Sequence, residues 1–216
     1  MYRFVRATVV ALLISSLATA PTLAAARPLG NILFAEQARL GTVTAVVGST
    51  IYSGDRIATD ARGSVRVRVG AGQVYLLASS LATLEEYPGG ISATLGRGTV
   101  GFASADESLV VVRTSEVLIR PKNSQPTHAQ VSMVGPKELL VSSYRGSLEV
   151  VVGTEVHAVP EATTYRVLLE TEPQDPAGVG AEAAKRAKVV MIFVGTAIAA
   201  AIITFAILHN LSPSRP

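Results

Sequence analysis

The sequence predicts an all-β fold, a sandwich or roll of many short, mainly antiparallel strands, plus one C-terminal transmembrane helix. Three observations carry this reading. Across residues 41–170, short runs of Val, Ile, Leu, Thr and Tyr alternate with polar residues, the period of two of a half-buried strand. Gly, Asp, Asn or Pro punctuates the runs about every 8–12 residues, as in sandwiches and barrels. Twenty residues from Val189 to Leu208 carry no charge, and as a helix they would span about 30 Å. No strand–helix alternation occurs, which argues against a parallel α/β sheet.

Taken in order, the chain begins with a secretory signal pattern over residues 1–26. Arg3 and Arg6 precede a short apolar core, Val9 to Leu17, and Ala24-Ala25-Ala26 offers a small-x-small cleavage site before Arg27. Ala18-Thr19-Ala20 also fits, but Pro21 disfavours cleavage there. An uncleaved N-terminal anchor is the alternative, and either way the downstream domain is translocated. Residues 27–170 form the β domain. Its clearest strand is 64–69, where Val65, Val67 and Val69 alternate with Ser64, Arg66 and Arg68. Further strands are expected at 42–47, 73–77, 82–86, 91–95, 99–102, 109–113, 117–119, 129–134, 139–143, 147–152, 155–159 and 164–169. One further helix is entertained, over 32–40.

Residues 171–188 read as a linker or stalk, with Pro173, Pro176, Gly178 and Gly180. The transmembrane helix of residues 189–208 comes next, then a short polar tail, 209–216. Gly195 and the run Ala199-Ala200-Ala201 are small surfaces suited to helix pairing. Lys185, Arg186 and Lys188 precede the apolar run, while only Arg215 and a mostly neutral His209 lie beyond it. The positive-inside rule alone would place that flank in the cytoplasm. The signal peptide acts first in synthesis and demands the reverse, so the expectation is a single-pass inner-membrane protein with its domain in the periplasm.

Charge distribution excludes a nucleic-acid reading despite a pI near 9.4. Residues 27–184 hold thirteen basic and all sixteen acidic residues, a formal charge of −3. The other basic residues flank the two apolar segments, a signature of membrane topology rather than of phosphate binding. There is no cysteine, which excludes disulfides, thiol nucleophiles and lipid anchoring through an N-terminal Cys. Packing alone must hold the domain together.

One internal echo is visible. Ala61-Arg-Gly-Ser-Val-Arg-Val-Arg-Val69 is similar to Tyr144-Arg-Gly-Ser-Leu-Glu-Val-Val-Val152. A shared turn-and-strand solution explains it more simply than a duplicated half.

Residues 48–120 resemble the FecR-like domain family of periplasmic regulators. The resemblance rests on Gly54-Asp55-Arg56-Ile57-Ala58-Thr59, on Gly63 to Val69 followed by Gly72-Gln73-Val74-Tyr75-Leu76, and on Ser79-Ser80-Leu81-Ala82-Thr83-Leu84. It continues through Leu95-Gly96-Arg97-Gly98-Thr99-Val100-Gly101-Phe102 and Val111-Val112-Arg113-Thr114, with Gly146 to Val152 as the closing strand. The resemblance implies a non-enzymatic extracytoplasmic module that signals or scaffolds through protein contacts. Well-known members carry a cytoplasmic anti-sigma segment before a transmembrane helix. Here six residues precede the first apolar stretch, so the expectation is a stand-alone domain without that segment.

No catalytic, cofactor or metal constellation stands out. His128 and His157 sit in β segments without a nearby second ligand. Asp55 follows Gly54 as a turn residue would. Glu85 and Glu86 are strand neighbours that point to opposite faces, so they cannot easily act on one substrate. Asp106-Glu107 reads as a solvated hairpin turn. The candidate partner surface is the basic strip of Arg62, Arg66 and Arg68, suited to an acidic protein partner in the envelope. The alternative is a structural envelope protein binding peptidoglycan or polysaccharide.

Overall fold

The alternation of apolar and polar residues becomes fifteen strands among the described residues. The computed structural model describes residues 27–104, 109–123, 125–171 and 187–196. The chain runs through β1 (Pro28–Leu40), β2 (Val43–Thr44), β3 (Thr50–Tyr52), β4 (Asp55–Val69) and β5 (Gly72–Leu76). It continues through β6 (Leu81–Tyr87), β7 (Gly90–Ser104), β8 (Leu109–Arg113), β9 (Leu118–Pro121) and β10 (Thr127–Gly135). It ends with β11 (Glu138–Arg145), β12 (Leu148–Val152), β13 (Glu155–Val159), β14 (Thr163–Thr171) and β15 (Ala187–Thr196). All fifteen belong to one hydrogen-bonded sheet, and no helix occurs among the described residues.

The register shows that this sheet turns back on itself. Residues 55–58 of β4 pair with β6, whereas residues 65–69 pair with β5. Likewise β7 pairs with β6 through residues 90–97 and with β5 through 100–103. The pair β7–β8 is parallel, with Gly90 opposite Leu109. A straight strand of that length would be about 50 Å long. The chain from Ser104 to Leu109 can reach at most about 18 Å. Strand β7 must therefore bend sharply, and it does so around Gly96–Gly98, where the register with β6 shifts.

Two arms result. The first runs β2, β1, β4, β6, β7, β8, β9, β12, β13; the second runs β3, β1, β4, β5, β7, β10, β11, β14, β15. Strands β1, β4 and β7 belong to both. Inward residues of both arms form one core that includes Ile57, Leu84 and Val150 from the first and Val74, Phe102 and Val141 from the second. Each fully buried aliphatic side chain there contributes about 1.5–3 kcal/mol.

A buried polar node pins the corner. Thr59 Oγ1 donates to the Leu77 carbonyl (2.5 Å) and accepts from the Ser80 N–H (2.9 Å). Ser80 Oγ accepts from the Thr99 N–H (2.8 Å) and donates to the Thr99 carbonyl (3.0 Å). Gly98 has φ +79°, and a Cβ there would lie 2.6 Å from Ser80 Cα. Only glycine fits that approach. Thr59, Ser80 and Gly98 lie in three of the stretches that carry the sequence resemblance.

Most expected strands are present, and several expectations are corrected. Residues 32–40 are strand β1, not helix. Bulges between Ile32 and Phe34 and between Glu36 and Ala38 break its period of two, which hid the strand from periodicity. Residues 91–95 and 99–102 are one strand, β7, because the glycines between them bend the chain without ending the pairing. Of 42–47, only Val43–Thr44 pairs as strand.

The largest correction concerns the C-terminus. Residues 189–196, expected as the first part of a transmembrane helix, lie in β15, antiparallel to β14 from Thr163↔Thr196 to Thr171↔Ala187. Val189, Val190, Ile192, Phe193 and Val194 are β-branched or aromatic residues that suit a pleated surface, and β14 offers them a hydrogen-bonding edge. The run's length favoured a helix, and period alone does not separate the two. Thr171, Ala187 and Lys188, expected in the linker, are likewise strand. Residues 197–208, the tail, most of the linker and the signal pattern lie outside the described residues.

Candidate interaction face

Alternation along β4 sends Val65, Val67 and Val69 into the core and Arg66 and Arg68 to the outer face of the second arm. Arg62 does not join them in register. It is exposed on the bend beside Gly63, where the β1–β4 pairing skips from Ser64 to Thr59. A Cβ at Gly63 would lie 2.3 Å from the Gln37 carbonyl oxygen, so glycine lets β4 cross close to β1 here.

Cross-strand register builds a broad surface around the two remaining arginines. One row reads Arg66, Tyr75, Gly101, Gln130, Ser142 and Thr164. The next reads Asn31, Arg68, Gln73, Ala103, His128 and Arg145. Antiparallel neighbours stand close enough for their side chains to touch. Tyr75 donates from its hydroxyl to Gln73 Oε1 at 2.8 Å. A Cβ on Gly101 would be 3.7 Å from Tyr75 Cβ, so the tyrosine flanks the position that lacks a side chain. His128 and Tyr144 set their rings 5.3 Å apart.

The electrostatics arise from this packing. Burial raises the Tyr75 pKa, with Arg66 pulling the other way. Burial also raises that of Tyr144, opposed by a hydrogen bond with Ser142. Burial lowers that of His128. Arg66 Nε is enclosed and meets no acceptor. Among the described residues Arg66 and Arg68 form no ion pair; Arg120 pairs with Glu149 on the first arm, and Arg166 pairs with Glu138 across β14 and β11 at the far side of this face. The face is thus basic, aromatic and amide-rich, with Arg66 and Arg68 free of a carboxylate partner and Glu138 engaged by Arg166 at its far side.

The residues weighed for chemistry have structural explanations. Asp55 Oδ2 accepts the Tyr52 N–H at 2.8 Å, closing the turn around Gly54. Glu85 and Glu86 are both exposed. His157 Nε2 lies 3.3 Å from Glu155 Oε2. No group of three or more metal-ligating side chains forms among the described residues. His209 and Asp106-Glu107 lie outside them.

Arg66 and Arg68 were legible as an alternating pair. Gln73 and Tyr75 lie across the tight turn at Gly70-Ala71; His128, Gln130 and Tyr144 were not legible, because only the strand order β4-β5-β7-β10-β11 brings them onto the same face. The polar period of two in Gln73–Tyr75 and in His128–Gln130–Ser132 marked each as an outer-face residue without naming its neighbours.

No family model and no curated protein matches the chain. Among solved structures, it is similar to two crystal structures, at 1.65 and 2.50 Å, of a protein from Parabacteroides distasonis ATCC 8503 provisionally named an anti-sigma factor. Each covers 72% of this chain and 72% of its own, with 13% identity and a TM-score of 0.49.

Proposed function

We propose that the protein is a non-enzymatic extracytoplasmic module that takes part in envelope signalling through protein contacts on the outer face of β4, β5, β7, β10 and β11. One observation carries the reading. On that face Arg66 and Arg68 stand beside Tyr75 with no carboxylate partner among the described residues, and the enclosed Arg66 Nε meets no acceptor. Arg66 is half-buried and Arg68 exposed, and an acidic partner segment would supply the carboxylates that their guanidinium groups lack. Arginine and tyrosine are also the side chains that most often anchor protein interfaces. The N-terminal signal pattern supports export, and the FecR-like sequence pattern implies regulation by contact.

Attachment to the membrane is part of the proposal, with a physical condition attached. If residues 189–196 stay in β15, the twelve uncharged residues 197–208 would span only about 18 Å as a helix, short of the roughly 30 Å hydrocarbon core. The sheet and a bilayer-spanning helix therefore compete for residues 189–196. The N-terminal segment, if uncleaved, would anchor the domain without that conflict.

A second reading, binding of a cell-wall polymer, is favoured by Tyr75, Tyr144, Gln73 and Gln130 on the same face, since aromatic rings and amides suit sugars. One experiment separates the two. A photoreactive amino acid replaces Gln73 in cells, with a control at Thr83 on the first arm. A discrete protein adduct at residue 73 that disappears in R66E/R68E supports the proposal. A muropeptide adduct transfers support to the polymer reading. Equal labelling at both positions removes both.

A further inference from the structure

The folded sheet has four free edges among the described residues: β2 and β13 on the first arm, β3 and β15 on the second. Open edges invite pairing with another chain, and proteins blunt them with shortness, charge or proline. Three of these edges are blunted. β2 has two residues and β3 three. β13 has five, carries Glu155 and His157, and is followed by Pro160. β15 has ten residues, no charge after Lys188 and no proline. Its Ile192, Phe193 and Val194 are 46%, 55% and 54% exposed.

We propose that β15 is a self-association edge: two copies of the protein pair β15 with β15 antiparallel about Met191, extending the second arm into one sheet across the dimer. A second copy of the same strand matches this uncharged apolar edge without burying a charge. A bulge at Val194, between the pairs Thr164↔Gly195 and Tyr165↔Phe193, ends the regular edge. The regular uncharged stretch is therefore residues 189–193, and its midpoint is Met191. Antiparallel pairing there sets Met191 against Met191 of the second copy, Val189 against Phe193, and Val190 against Ile192.

The first and second of these pairs lie on the core face, because Val189, Met191 and Phe193 stand opposite Leu169, Val167 and Tyr165. Phe193, held edge-on to Tyr165 at 5.5 Å, would be covered by Val189 of the second copy, and the two cores would join. Charge sets the direction. Parallel pairing would place Lys188 beside its own copy, with Arg186 and Lys185 next in sequence, and like charges side by side oppose association. Antiparallel pairing opposes Lys188 to Val194. The interface is isologous, as a two-fold dimer requires. It uses the edge rather than the arginine face, so it stands independently of the proposed function.

The chain has no cysteine, so single-cysteine variants of the full chain, purified in mild detergent and gently oxidised, report the register directly. Antiparallel neighbours have Cα atoms about 4.5–5.5 Å apart, within disulfide reach. The expected result is a self-linked dimer for Met191→Cys and little for Val189→Cys or Phe193→Cys alone, with efficient linking when those two are mixed. The mixed pair keeps the test valid if Met191→Cys folds poorly. Ile192→Lys should weaken association at least tenfold in sedimentation with unchanged circular dichroism. Self-links recurring every three or four positions would mean parallel helices and would overturn the proposal. So would no link at any of residues 189–193, or association indifferent to Ile192→Lys.

Discussion

The corner around Ser80 and the edge strand β15 hold their residues in opposite ways. At the corner, β4, the β5–β6 link and β7 meet, and Thr59 and Ser80 satisfy buried backbone groups from two neighbouring segments. Ser80 is fully buried and Thr59 nearly so. Gly98 is fixed by a positive φ and by contact with Ser80 backbone. Among the described residues β15 has one strand partner, and half of the Phe193 surface remains exposed. Position is over-determined at the corner and singly determined at the edge. A bent sheet of this kind is specified where strands change arms, and its last strand is the part most open to another arrangement.

The strongest way to break the comparison is Gly98→Ala. The new Cβ would overlap Ser80 and demand a positive φ from a residue that resists it, so a loss of about 3 kcal/mol or more is expected. Urea unfolding measures it, and a loss below about 1 kcal/mol would mean that the corner yields easily. Ser80→Ala comes next, because it strands the N–H of Thr99, whose carbonyl keeps the Leu77 N–H as its donor. The expected cost is about 2–3 kcal/mol, and a neutral result would show that β7 holds its bend without the serine.

At the edge the effects should be smaller. Phe193→Ala, measured in the Ile192→Lys background so that association does not contribute, should cost about 1 kcal/mol or less, since half the ring is exposed. Amide exchange should place β15 well below β7 in protection. Equal protection would contradict the idea of a singly held strand.

The smallest effect is a pH dependence. Burial depresses the folded-state pKa of His128 below its usual 6.5. As pH falls below that value, the unfolded chain takes up the proton first. Stability is thus full above about pH 6.5 and declines as pH falls towards the folded pKa. The ring is partly exposed, so the decline should be shallow. His128→Gln should flatten the stability profile just below about pH 6.5, and an unchanged slope would place its origin elsewhere.

The same contrast governs what could be read in advance. Val65, Val67 and Val69 alternate without interruption, so strand, buried face and the outward Arg66 and Arg68 were all legible. The corner was legible only in part. Thr59, Ser80 and Gly98 lie within the family-like stretches, but Gly96 and Gly98 read as a turn between two strands, whereas they bend one. In β1 two bulges erased the period that marks a strand. In β15 the apolar run fitted a helix as well as a strand, and nothing local could choose.

Sequence alone determined the class and the faces: an all-β domain, held without disulfides, with its valines inward and its arginines outward. Those properties depend on side-chain period, which is written residue by residue. Tertiary structure decided which strands are neighbours, and through that the placing of His128 and Gln130 on the arginine face, the bend of β7 and the strand state of residues 189–196. These depend on pairing between strands that long stretches of chain separate, and no short window along the chain contains them.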